Sequence, residues 1–290
     1  MKNRCPEFVA KTLLLWLFLF LPACVTPPSP ADRRASAEVQ AARHDWRLLP
    51  IAAGPFEIAA FLPLHPVPAP HLTVYIEGDG FAWVTNTRPS DDPTPITPLA
   101  LQLALAQPEG NAASLARPCQ YTAPEATACS SRYWTEQRFA SEVIAAMDQA
   151  VTVLKKTFAA RELTLVGYSG GAAVAALVAA KRNDVIRLIT VAGMLDHRAW
   201  TAYHRISPLT GSLNPVDARG TLHQIRQWHF FGGKDRIIPP MLLTAYRDAL
   251  SDTALITLRE EPEYDHHCCW VRDWPQLWRQ FSGEGRQEPP

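Results

Sequence analysis

The chain has no surplus of charge: its 290 residues carry 28 Lys and Arg against 28 Asp and Glu. With no basic patch it lacks the electrostatic footprint of a nucleic-acid binder. It has no internal repeat. Its one strongly apolar run, near the N-terminus, is too short to span a bilayer comfortably. No Cys-x-x-Cys pair is present among six cysteines, which favours disulfides over a metal site. What is there is apolar material, 47% of the chain, enough for a full core. The length suits one large α/β domain better than two small ones.

The first residues read as a targeting segment. Lys2, Arg4 and Lys11 form a positive region, Leu13 to Leu21 a short apolar one, and Leu21-Pro22-Ala23-Cys24 follows. A small residue before a cysteine at that place resembles the lipobox of a bacterial lipoprotein signal peptide. The expectation is a signal peptide over 1–23, a lipid on Cys24, and a protein held to the membrane of the bacterial cell envelope. An ordinary secretory signal or an uncleaved anchor are the alternatives. Prolines and small polar residues after Thr26 predict a flexible tether over 24–44, and the folded domain is expected over 45–282. Export leaves Cys119, Cys129, Cys268 and Cys269 as disulfide candidates in an oxidising compartment. Four cysteines allow three pairings, and the sequence does not choose among them.

From Trp46 onward, strand and helix patterns alternate. Trp46–Leu49 and Phe56–Leu62 read as an antiparallel opening pair. Leu72–Ile76, Ala112–Ala116, Leu163–Val166, Val185–Val191, Gln227–Phe231 and Leu255–Leu258 read as further strands. Helical spacing marks Leu99–Ala106, Phe139–Phe158, Gly171–Lys181, Pro240–Leu250 and Trp274–Gln280. Such alternation predicts a mostly parallel sheet with helices on both faces.

One pentapeptide carries chemistry. Gly167-Tyr168-Ser169-Gly170-Gly171 stands between a predicted strand and a small-residue helix. That is the setting in which a G-x-S-x-G turn lifts a serine hydroxyl above a sheet edge. Bulky flanking residues would collide with the strand and helix, so Gly167 and Gly171 leave room. The Gly170 N–H, at a helix start, would face a developing oxyanion. A serine hydroxyl needs a base to take its proton, an imidazole can serve near neutral pH, and a carboxylate must hold that imidazole in its working tautomer.

Together with Gly232-Gly233-Lys234-Asp235-Arg236-Ile237-Ile238-Pro239 and Asp265-His266-His267, the pentapeptide makes residues 45–280 resemble the α/β-hydrolase superfamily, in particular its exported bacterial lipoproteins. The resemblance implies the α/β-hydrolase fold and the chain order Ser, acid, His. It implies Ser169 as nucleophile, Asp235 as acid and His266 as base, with Asp196 as rival acid and His267 as rival base. In Glu77-Gly78-Asp79-Gly80 it points to the Asp79 N–H as second oxyanion donor, with Gly80 as alternate. Many relatives carry His-Gly where this chain has Glu77-Gly78, and a carboxylate at Asp79 could repel anionic substrates. About 65 residues separate the elbow from Asp235, so only a short lid region, Ala199–Pro215, fits. Phe81, Trp83, Tyr168 and Trp200 are candidate lining for an apolar acyl site. The implied activity is hydrolysis of a small acyl ester, needing neither cofactor nor metal. An acyltransferase or peptidase would share the same triad, and a non-catalytic envelope lipoprotein is the alternative from another class.

Overall fold

The computed structural model describes residues 26–122, 129–250 and 255–282. The expected signal peptide, Cys24 and the C-terminal tail lie outside the described residues. In chain order the elements are α1 Pro30–Ala42, β1 Trp46–Ala53, β2 Phe56–Pro63, β3 His71–Ile76, α2 Leu99–Leu105, β4 Asn111–Leu115, α3 Ser141–Thr157, β5 Glu162–Tyr168, α4 Gly170–Ala179, β6 Val185–Val191, α5 His197–His204, α6 Arg219–Leu222, β7 Arg226–Gly232, α7 Pro240–Asp248, β8 Ile256–Glu261 and α8 Trp270–Ser282. No described helix is long and apolar enough to cross a membrane.

The eight strands form one sheet in the order β1-β2-β4-β3-β5-β6-β7-β8. The β1–β2 and β2–β4 pairs are antiparallel and every later pair is parallel. Strands buried on both faces read as unbroken apolar runs, and their alternation sorts side chains between two layers. Leu72, Val74 and Ile76 of β3 join Leu163 and Leu165 of β5 in the cluster that α3 and α4 cover. Tyr75, Val166, Ile189 and Val191 point the other way, against α2 and the Trp270, Trp274 and Phe281 face of α8. The crossovers thus put helices on both faces, as expected.

Helix α4 is Gly-Gly-Ala-Ala-Val-Ala-Ala-Leu-Val-Ala, and all ten residues are buried. A helix apolar all round is an interior helix. Small side chains let its backbone lie close to β5, and alanine keeps its helix propensity at the top of the scale.

The tether expected over 24–44 does not describe residues 30–42, which form α1. Ser29 caps it: its hydroxyl accepts from Asp32 N at 3.2 Å, and the Asp32 carboxylate accepts from Ser29 N at 3.2 Å. Pro30 sits at the first helical position, where its missing N–H costs nothing. Ala37 and Ala41 are fully buried against Ala59 and Phe61 of β2. Arg33, also buried, donates to the Thr94 carbonyl and stacks 5.1 Å from the Phe81 ring. Prolines and small residues here start and pack a helix.

The closing helix begins four residues before the expected Trp274 and carries Pro275 in its second turn. The four cysteines pair locally: Cys119 with Cys129, and Cys268 with its neighbour Cys269. No bond joins the two pairs.

Candidate active site

Ser169 occupies the single residue between β5 and α4, at φ 52° and ψ −123°. A non-glycine residue with positive φ at a strand-to-helix turn is backbone strain of the kind found at functional sites. Neighbouring glycines make the turn possible. A Cβ on Gly167 would overlap the Cα of Ala172, and one on Gly171 would overlap the carbonyl oxygen of Ile76. The turn is held by Ser169 N donating to Val191 O at 3.0 Å and by Met194 N donating to Ser169 O at 3.0 Å.

The loop after β7 carries Asp235, whose side chain is fully buried. Its Oδ1 accepts from the N–H groups of Ile237 and Ile238, both at 2.8 Å. Its Oδ2, fixed by those bonds, lies 2.8 Å from His266 Nδ1. A proton on Nδ1 leaves Nε2 bare, and Nε2 lies 2.9 Å from Ser169 Oγ. The structure therefore brings Ser169, His266 and Asp235 into one hydrogen-bonded chain from three different loops at the sheet's C-terminal edge.

The rivals lie elsewhere. Asp196 caps α5: its Oδ1 accepts from Arg198 N at 3.0 Å, Ala199 N at 3.2 Å and Asn214 Nδ2 at 2.7 Å. The His267 ring bonds elsewhere: its Nδ1 lies 3.1 Å from the Tyr168 hydroxyl. Burial, then the nearby His266, pushes the His267 pKa down. His71, His223 and His229 bond to Thr164, Arg219 and Thr190 respectively. His204 and Trp200 both reach the Ile237 carbonyl, at 2.9 and 2.7 Å, and so brace the Asp235 loop.

A cavity of about 750 Å³ opens in front of Ser169. Phe81, Trp83, Tyr168 and Trp200 all line it, as do His266, His267 and Cys269. Between β6 and β7 the chain builds α5, a short 3-10 turn and α6, with no larger cover over the cavity among the described residues. The Gly170 amide opens α4, where first-turn N–H groups have no intrahelical acceptor. Gly78 packs on Ser169: a Cβ there would meet Ser169 Cβ at 3.3 Å. Asp79 follows it directly, and Gly80, at φ +67°, is pressed against the Pro93 carbonyl.

Three features escaped the sequence. First, Glu77 is buried and accepts from Gly78 N at 2.9 Å and Ala100 N at 3.1 Å. It ties the Gly78–Asp79 turn to the start of α2. Burial outweighs these bonds and raises its pKa to about 7. Second, the Asp79 carboxylate is held by two arginines, Arg117 at 3.3 Å and Arg138 in closer contact. Burial brings the Arg117 pKa down to about 10. The Asp79 charge is thus answered by two guanidinium groups. Third, Gln120 Nε2 donates to Gly78 O at 3.0 Å and braces the same turn. Only Arg117 had a sequence signal, an arginine directly after a buried strand.

No protein-family model matches the chain, and no curated protein sequence matches it. Solved structures do resemble it. An esterase of Pyrococcus furiosus superimposes with a TM-score of 0.58 at 11% identity, over 91% of this chain and 96% of that one. Est1E from Butyrivibrio proteoclasticus gives 0.57 at 12% identity, over 83% and 99%. An α/β serine hydrolase without lid from Xanthomonas campestris gives 0.54 at 14% identity, over 85% and 97%. Identities this low establish the architecture: the chain has the α/β-hydrolase fold.

Proposed function

We propose that the protein is a serine hydrolase of carboxylic esters. The observation that carries this reading is the relay from Asp235 Oδ2 through His266 to Ser169 Oγ, at 2.8 and 2.9 Å, facing an open cavity. In this reading Ser169 Oγ attacks the acyl carbon while His266 Nε2 takes its proton. The N–H groups of Gly170 and Asp79 receive the oxyanion. His266 then returns the proton to the leaving alkoxide, and an acyl-enzyme remains. Water, deprotonated by His266, attacks that acyl carbon and releases the acid and free Ser169. Asp235 keeps Nδ1 protonated and stabilises the imidazolium at each stage.

Esterases and serine hydrolases among the structural relatives support the reaction class. The aromatic lining supports an apolar acyl or alcohol group. We further propose that Cys24 carries a lipid and holds the enzyme to the cell envelope; the lipobox-like Leu21-Pro22-Ala23-Cys24 supports it. Helix α1, docked on the domain from Pro30, leaves only a short link to such an anchor.

The test is steady-state hydrolysis of para-nitrophenyl acyl esters of graded chain length. The wild type is expected to turn them over, and Ser169→Ala to fall by a factor of about 10³ or more. Equal rates for both proteins would overturn the proposal.

A further inference from the structure

Beside the nucleophile lies a charge imbalance that ester hydrolysis does not need. Asp79 and Arg138 both line the cavity that Ser169 faces. One carboxylate, Asp79, stands between two buried guanidinium groups, Arg117 and Arg138, whose side chains are only 4% and 5% exposed. The cluster therefore keeps one uncompensated positive charge. Two other carboxylates are near and neither cancels it. Asp235 is committed to His266 and two backbone N–H groups. Glu77 is committed to the Gly78 and Ala100 N–H groups. The other cation on the wall, Arg272, is exposed and paired with Asp273.

The two arginines differ in what they have left to give. Arg117 lies behind the wall, donating to Asp79 and to the Arg138 carbonyl. Arg138 is the one at the cavity. Its Nε donates to the Thr135 carbonyl at 2.7 Å and its Nη1 to Asp79. Its Nη2 has no acceptor among the described residues. The Trp200 ring lies beside the guanidinium, its centroid 6.0 Å from Cζ. A guanidinium has five donors in a rigid fork suited to a carboxylate. With Nε and Nη1 already held by protein in low dielectric, it presents the remaining Nη2 at little entropic cost.

We propose that Arg138 receives a carboxylate carried by the substrate, so that the favoured esters are anionic ones, such as monoesters of dicarboxylic acids. This deepens the ester-hydrolase reading and rests on it. The anion completes the charge of the Asp79 cluster while the ester carbonyl sits at Ser169. Apolar walls at Phe81 and Trp83 take the intervening chain.

The experiment compares mono-(para-nitrophenyl) esters of glutaric, adipic and pimelic acids with para-nitrophenyl pentanoate, hexanoate and heptanoate. Each pair has equal chain length and differs in a terminal carboxylate or methyl. The wild type should prefer at least one anionic ester by about tenfold or more in kcat/KM. Arg138→Gln should shrink that ratio about tenfold, whatever its absolute rates, and Arg138→Lys should restore part of it. If Arg138→Gln does not fold, inhibition of the wild type decides: adipate should compete with substrate, and adipamide should not. Preference for the neutral ester in every pair, an unchanged ratio in Arg138→Gln, or equal inhibition by adipate and adipamide would each overturn the proposal. A neutral preference in a protein whose Ser169 reacts with a fluorophosphonate sinks this inference alone. No hydrolysis of any ester, with no such labelling, sinks the hydrolase reading and this inference with it.

Discussion

The Tyr168 hydroxyl donates to the His266 carbonyl oxygen at 3.2 Å. It joins the residue just before the candidate nucleophile to the residue carrying the candidate base, 98 positions later in the chain. The Tyr168 ring also packs against the His266 ring, tilted by 40° at 5.4 Å between centroids. The relay is thus positioned from two sides, by Asp235 at the ring and by Tyr168 at the backbone.

Replacing Tyr168 by Phe keeps the ring packing and removes the hydroxyl's bonds to the His266 carbonyl and to His267 Nδ1. Stability should fall by about 1 kcal/mol in urea unfolding. The value of kcat should fall by a factor of several with KM little changed, as expected for a positioning residue.

The two neighbouring histidines should separate cleanly. His266→Ala should reduce kcat/KM by a factor of about 10³ or more. His267→Ala loses a bond to Tyr168 and nothing that reaches Ser169, so its loss should stay within about tenfold. Steady-state kinetics on one chromogenic ester checks both.

The acids should separate on different readouts. Asp235→Asn should cost a factor of about 10³ or more in kcat, since the amide no longer holds the Nδ1–H tautomer. Asp196→Ala removes a helix cap, so it should lower stability by about 0.5–2 kcal/mol and leave the rate near that of the wild type. Kinetics and urea unfolding of the same two variants supply the comparison.

Glu77 should make stability depend on pH. Its folded-state pKa, about 7, lies above the ordinary 4.5 because burial disfavours the charged form. The folded state therefore holds this proton more tightly than the unfolded one. The stabilisation is complete below the unfolded pKa and is lost as pH rises through 7. Relative to Glu77→Gln, the wild type should lose stability on the order of 2 kcal/mol between pH 5 and pH 8. Urea unfolding of both proteins at the two pH values measures it. An unchanged difference would show that Glu77 stays ionised throughout.

The strands and the elbow were legible because both rest on local patterns. The apolar runs Leu72–Ile76 and Leu163–Val166 can be buried only in a two-sided sheet, and Gly167 and Gly171 are demanded by contacts within a few residues. Helix α1 was read as a tether because Pro30 and the alanines look like linker composition; its capping box, Ser29 with Asp32, was in plain view. The Asp79–Arg117–Arg138 cluster was not legible. Its arginines are 38 and 59 positions from Asp79, and beyond the place of Arg117 just after a strand nothing local pairs them with that carboxylate. The choice between His266 and His267 also needed coordinates, because adjacent residues share every sequence context.

The most direct test of the account is labelling with a fluorophosphonate probe followed by peptide mass spectrometry. The account predicts one adduct, on Ser169, formed by the wild type and lost or strongly slowed in His266→Ala. A folded wild type that takes no label at Ser169, or a His266→Ala variant that reacts as fast as the wild type, would contradict it.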